Sequence, residues 1–260
     1  MALTQMSGSS KYEALIASLN KRFGRGLQFL TAFTYGKSAD NNSLTPQGDV
    51  LNSQVPGDNT NLDHWGLSSF DRKLRSTTSL TYEFPQPFQK GSIANRLLGG
   101  WMTAGVVTFQ SGPPITFLAP FSSSAVTPAI NLTPDVAPGV TLRDLEGRGP
   151  VESRLTHYFA SPGLGSSGTL FVLPGPVDFG ALGRGLALRS PGQRTVDLML
   201  SKRAAIGERL TLEFRAEAFN LLNWVNFGAP DANVGDPGFG IISSTTTSPR
   251  IVQLALKLYF

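Results

Sequence analysis

Side-chain character alternates residue by residue in several separated stretches of the chain, and this constrains its fold more than any other feature. Successive side chains of an extended strand point to opposite faces, so a period of two means a strand with two unlike surfaces. Leu27, Phe29, Thr31, Phe33 and Tyr35 share one face of such a stretch, while Gln28, Leu30, Ala32, Thr34 and Gly36 share the other. Ahead of it, Leu15, Ala17 and Leu19 against Ile16, Ser18 and Asn20 repeat the pattern more weakly. Phe23-Gly24-Arg25-Gly26 between the two reads as a tight hairpin. Further on, Leu74, Thr78, Leu80, Tyr82 and Phe84 oppose Arg75, Thr77, Ser79, Thr81 and Glu83, and Trp101, Thr103, Val107 and Phe109 follow. Val196, Leu198 and Leu200 oppose Thr195, Asp197 and Ser201. Leu210, Leu212, Phe214, Ala216 and Ala218 then oppose Thr211, Glu213, Arg215 and Glu217. The last stretch sets Val252, Leu254, Leu256, Leu258 and Phe260 against Gln253, Ala255 and Lys257.

Strand length and linker length separate the all-β architectures. These stretches number roughly seven, each of about 10 to 13 residues, close to the length that crosses a bilayer at a tilt. Strands of soluble sandwiches run about 5 to 6 residues. The connections alternate in length: Phe23 to Gly26 and Arg203 to Glu208 are short, whereas Ser38 to Phe70, Leu118 to Gly192 and Leu221 to Pro249 are long. Short turns on one rim and long external loops on the other is the layout of outer-membrane barrels. With Phe260 at the periplasmic rim, Phe23, Phe84 and Trp101 join it there on the outward face, and Phe33, Tyr35 and Phe109 fall near the outer rim. These two levels are expected to form aromatic girdles. Glu213, Arg215 and Glu217 on the opposite face are expected to be a lumenal charged row, because such charges are costly against lipid.

Composition agrees. Only 15% of the 260 residues are charged, against about 25% in an average soluble domain, and aromatics reach 10%, the reverse of a disordered chain. The 22 Lys and Arg against 18 Asp and Glu are scattered and form no basic stripe, so nucleic acid is not an expected partner. Cys is absent, which excludes disulfides, thiolate metal sites and cysteine nucleophiles. Met1 to Lys11 is polar and lacks the layout of a signal peptide, and the N-terminal part of the natural polypeptide is expected to be missing. Leu97 to Pro134 carries no charge, but the apolar run from Leu97 to Phe109 is shorter than the roughly 20 residues a spanning helix needs.

No motif supports an enzyme. Gly163-Leu-Gly165-Ser-Ser-Gly168 matches a dinucleotide loop by letters, yet the following Thr169-Leu170-Phe171-Val172 reads as a strand where a helix is required. Glu213 and Glu217 flank an arginine and read as ion-pair partners rather than an acid and base couple. His64 and His157 lack metal-site spacing, and Asp40, Asp49, Asp58 and Asp63 sit in a loop without the EF-hand pattern. No catalytic residue, cofactor or metal is expected.

Several phrases carry a family likeness. Tyr12-Glu-Ala-Leu15, Lys21-Arg-Phe23, Gly26-Leu-Gln-Phe29, Thr34-Tyr-Gly-Lys-Ser38, Phe70-Asp-Arg72, Leu98-Gly-Gly-Trp101 and Phe109-Gln-Ser-Gly112-Pro are among them. So are Phe179-Gly through Gly183-Arg184, Val196-Asp-Leu198, Phe214-Arg-Ala-Glu217-Ala-Phe-Asn220-Leu-Leu-Asn223, Asn226-Phe-Gly228 and Leu254-Ala-Leu-Lys-Leu258-Tyr-Phe260. In order and spacing they resemble the C-terminal barrel of TonB-dependent outer-membrane receptors of the Oar-like type, over nearly the whole chain. Leu186-Ala-Leu-Arg189-Ser-Pro-Gly192 departs from the usual Asn- and Gly-rich phrase.

The resemblance implies an antiparallel transmembrane β-barrel of about 22 strands around a plug, importing a ligand with energy passed by TonB. Residues 1–260 are then expected to be one C-terminal barrel region without plug or signal peptide, in the outer membrane of a Gram-negative-type bacterium. Its expected partners are outer-membrane lipid, the missing N-terminal barrel and plug, TonB through that missing part only, and the barrel assembly machinery. The machinery is expected to read Val252, Leu254, Leu256, Leu258 and the terminal Phe260 as an assembly signal. The competing functions are a passive outer-membrane pore, a surface-adhesion barrel, or a soluble β-sandwich binding module.

Overall fold

The computed structural model describes residues 8–24, 26–41, 65–86, 92–119, 133–174, 180, 182–206 and 209–260. Seven long strands form one antiparallel sheet in chain order: β1 (Ser10–Arg22), β2 (Leu27–Asp40), β4 (Leu74–Glu83), β5 (Trp101–Gln110), β8 (Gln193–Ile206), β9 (Leu210–Phe219) and β10 (Ile251–Tyr259). The short β3 (Gly66–Leu67) adds to the end of β2, and β6 (Asp135–Val136) pairs with β7 (Phe171–Val172) away from the sheet. Among the described residues β1 pairs only with β2 and β10 only with β9, so both outer edges of the sheet are open. No described helix is long and apolar enough to cross a membrane.

The seven alternating stretches all appear as strands, and of the apolar run from Leu97 to Phe109 the first two residues end a short helix, Ile93–Leu98, while Trp101 to Phe109 is extended in β5. One boundary differs from expectation. Arg203 does not open a turn, because β8 continues to Ile206. Lys202 stays on the strand by reaching its ammonium over the Trp101 ring at 5.0 Å and to the Gly99 carbonyl at 2.9 Å, so its charge leaves the apolar surface along the rim.

Antiparallel order sends the long connections 41–73, 111–192 and 220–250 to one rim and the connections 23–26, 84–100 and 207–209 to the other. The cross-strand row that starts at Lys21, next to the last residue of β1, ends at Val252, the second residue of β10. The strands are therefore staggered, as a sheet wound with tilted strands requires.

The long connections differ more from expectation. The sequence marks Leu118 to Gly192 and Leu221 to Pro249 as long external loops without a core of their own, yet the described parts of connections 111–192 and 220–250 fold into one packed cap with the molecule's hydrophobic core inside it. Phe117 is fully buried and meets Phe159 and Phe171 at ring distances of 4.8 and 5.0 Å, while Phe159 stacks on Phe239 at 5.0 Å. The two segments are stitched by the Leu118 amide donating to the Ala232 carbonyl and the Val234 amide donating to that of Leu118. Within the first, Ile115 and Leu186 to Leu188 exchange bonds of the same kind. Burial pushes the Tyr158 phenol above its ordinary range, and its hydroxyl donates to the Arg189 carbonyl at 2.8 Å.

Candidate functional site

Register decides which side chains share a surface. Lys21, Phe29, Leu80, Gly105, Leu198, Ala218 and Val252 lie in one row across all seven strands, and Arg22, Gln28, Thr81, Ala104, Met199, Glu217 and Gln253 lie in the next, on the opposite face. Because side chains alternate along each strand, the rows divide the whole sheet into one mainly apolar face and one mainly polar face. Leu212, Phe214, Leu254, Leu256 and Leu258 fall on the first, while Glu83, Asp197, Arg203, Glu213, Arg215 and Lys257 fall on the second.

Glu213 is the hub of the polar face and is fully buried. Arg203 Nε donates to it at 2.8 Å, Arg215 donates to its other oxygen at 3.0 and 3.2 Å, and the Tyr259 hydroxyl donates at 3.2 Å. Arg215 also reaches Glu217 at 3.4 Å. The predicted row of Glu213, Arg215 and Glu217 is thus brought together, with Arg203 from β8 and Tyr259 from β10 as members that inspection of one strand misses. Two carboxylates tied to two guanidinium groups make a charge-balanced girder. Neither glutamate is set up as a free acid or base.

Phe23, Phe84 and Trp101 sit at the rim of the shorter connections, and the Phe84 amide donates to the Trp101 carbonyl at 3.0 Å. Phe33, Tyr35 and Phe109 lie toward the other rim, with Phe33 and Phe109 both opposite Ser76. Phe260 follows β10 at the rim of Phe23, and its side chain is 100% exposed. Val252, Leu254, Leu256 and Leu258 share one exposed face of β10.

The asparagines of the phrase after β9 have a local task. Asn220 and Asn223 adopt left-handed backbone conformations, φ 49° and 52°, which asparagine tolerates better than most residues. The Asn220 amide side chain brackets Trp224, accepting from its amide at 3.0 Å and donating to its carbonyl at 2.9 Å, and Asn223 accepts from the Arg250 amide at 2.9 Å. Asn226 binds the backbone of Arg194 in both directions, at 2.7 and 2.9 Å. Together they anchor the chain leaving β9 to the start of β8 and to the start of β10.

Two ion pairs fasten the cap to the sheet. Arg184 donates to the Asp40 carboxylate and carbonyl, both at 2.6 Å and both residues buried, and Arg189 pairs with Asp71, which also accepts from the Ser38 amide at 2.6 Å. Gly185 has φ 58°, and a Cβ there would lie 2.0 Å from the Leu67 carbonyl oxygen, so only glycine lets the cap approach β3 this closely. Asp40 of the candidate acidic loop is therefore an ion-pair partner, while Asp49, Asp58, Asp63 and His64 lie outside the described residues. His157 is exposed and meets the Thr156 hydroxyl at 3.0 Å. No three His, Cys, Asp or Glu side chains gather as metal ligands among the described residues. The glycine phrase at Gly163 to Gly168 leads into β7, with no helix after it.

The family model for the outer membrane beta barrel domain covers residues 1–253. Neither the curated proteins nor the solved structures contain a match to the chain.

Proposed function

The chain belongs to the outer membrane β-barrel domain family, and from that premise we propose that it forms part of the barrel of an energy-coupled receptor of the TonB-dependent type. Membership places it in the outer membrane of a Gram-negative-type bacterium. In the proposed arrangement the apolar face meets lipid, the polar face with Glu213 lines the lumen, and further strands continue the sheet from its open edges. Lipid offers no hydrogen-bond partners to an unpaired edge. No catalytic step is assigned.

The observation that carries uptake over passive diffusion is the cap. Connections from the outer rim fold around a core at Phe117 and are pinned by Arg184 and Arg189. A fixed body of this kind gives a ligand a shaped surface, which a passive pore does not need. The experiment compares strains with and without TonB, each carrying or lacking the gene for the natural full-length polypeptide. They compete under limiting iron, carbohydrate or peptide, and the purified protein is tested in planar bilayers. A growth advantage that requires TonB, together with bilayers that stay closed, is the expected result. An advantage that survives loss of TonB, with open conductance steps, makes the protein a passive pore.

The assignment of faces has its own test. Leu212→Arg on the apolar face should cost less than the about 2–4 kcal/mol of a mid-bilayer site, because Leu212 is the third residue of β9, and should still lower the amount of heat-modifiable barrel in outer membranes. Thr211→Arg, one residue away on the polar face, should assemble nearly as well as the unaltered protein. Equal tolerance at the two positions rejects the assignment.

A further inference from the structure

At the outer rim the apolar face does not end flush. The cap overhangs the ends of β4, β5 and β8 and leaves a groove of about 570 Å³, walled by Phe33, Leu74, Phe109, Val225 and Phe227. Arg194 lies in it, in the same row as Phe109 and on the apolar face of the sheet. Its guanidinium carbon stands 4.9 Å from the centre of the Trp224 ring, which in turn sits 6.1 Å from Phe109. The backbone of Arg194 is clamped by Asn226, so the side chain is held at this place. Among the described residues no carboxylate forms a salt bridge with Arg194. The other charged groups lining the groove are Arg75 and Glu152, which leaves it net positive by one.

An exposed arginine without a carboxylate on a greasy surface is costly against hydrocarbon and favourable beside a phosphate, which takes a guanidinium through charge-assisted bonds. The aromatic walls suit acyl chains, and the half-exposed Val225 gives no reason for water to be preferred. We propose that this groove is a binding site for a phosphate-bearing lipid of the outer leaflet, its acyl chain along Phe33, Phe109 and Phe227 and its phosphate on Arg194 over Trp224. The site rests on the reading that the apolar face meets lipid, and the experiment separates the two.

Two forms of the natural full-length protein, with every tryptophan outside residues 1–260 replaced by phenylalanine, are purified in neutral detergent: Trp65→Phe with Trp101→Phe, which leaves Trp224, and Trp65→Phe with Trp224→Phe, which leaves Trp101. Each is titrated with phosphatidylglycerol or diacylglycerol carrying brominated chains, which quench a tryptophan on contact. Trp224 should be half-quenched at about tenfold lower phosphatidylglycerol than diacylglycerol, the size expected of charge-assisted bonds to a phosphate. Arg194→Gln should erase that difference, and inorganic phosphate should not displace the lipid. Trp101 should be quenched by both lipids.

Equal half-quenching of Trp224 by the two lipids overturns the site, as does a preference that survives Arg194→Gln. Quenching of Trp101 with none at Trp224 also overturns it, and assigns the groove to another part of the chain. Loss of quenching at both tryptophans overturns the lipid-facing reading as well. The two-lipid comparison on unaltered Arg194 decides the matter even if Arg194→Gln does not fold.

Discussion

Replacing Phe117 with alanine is expected to loosen the cap while the sheet beneath it stays folded. Phe117 is the aromatic at the centre of the core: Phe159, Phe171 and Phe239 all pack on its ring, within 4.8 to 6.0 Å. Truncating a buried phenylalanine to alanine costs about 3–5 kcal/mol, the lost transfer of the ring plus the cavity it leaves. The sheet does not share that core, since none of the core cluster lies on the seven long strands. Brief protease treatment of intact cells, followed by mapping of the cuts, should show new cleavage within residues 133–174 and no change in heat-modifiable migration. A cap as protected as that of the unaltered protein rejects this account of the core.

Arg184→Ala is expected to do comparable damage by a different route. The guanidinium is buried against a buried carboxylate, and withdrawing one partner from such a pair costs about 3–5 kcal/mol, because the other charge keeps its desolvation penalty. Removing both charges should cost less. Arg184→Leu combined with Asp40→Asn is therefore expected to be milder than Arg184→Ala alone, a non-additivity proper to groups in direct contact. Urea titration of the purified full-length protein in detergent, followed by the gel shift between compact and unfolded forms, measures it. A double variant at least as unstable as the single one means the pair does not fasten the cap.

The sheet was legible because its signal is local. Leu27 to Gly36 alternates within ten letters, and register follows once two such strands pair. The loop-length asymmetry was legible for the same reason. The cap was not, because Phe117, Phe159, Phe171 and Phe239 come together from four separate places along the connections, with no shared period. A faint signal existed in the aromatic pair Tyr158-Phe159 and in Phe171-Val172, apolar steps in segments otherwise rich in Gly, Pro and Ser. Ion pairs such as Arg184 with Asp40 are 144 positions apart, and nothing in a single sequence links them. Arg203 reads as the opening of a turn, yet it and its neighbour Lys202 both lie in β8, where a charge beside lipid is costly. Each escapes that cost on its own side, Lys202 along the rim over Trp101 and Arg203 to Glu213.

The open edges restrict what can be joined to them. Six successive antiparallel pairings lead from β1 to β10, so the two edge strands point the same way. If β10 curled back onto β1, the seam would be parallel. Two copies related by an axis along the membrane normal would meet at two such seams, so self-assembly does not complete an all-antiparallel wall. Only an odd number of additional strands, the first and last both running opposite to β1 and β10, restores alternation all the way round. An even total such as the roughly 22 strands of plugged outer-membrane transporters leaves an odd complement. The direction of two edge strands therefore acts as a parity rule that any partner segment must obey, whatever its sequence.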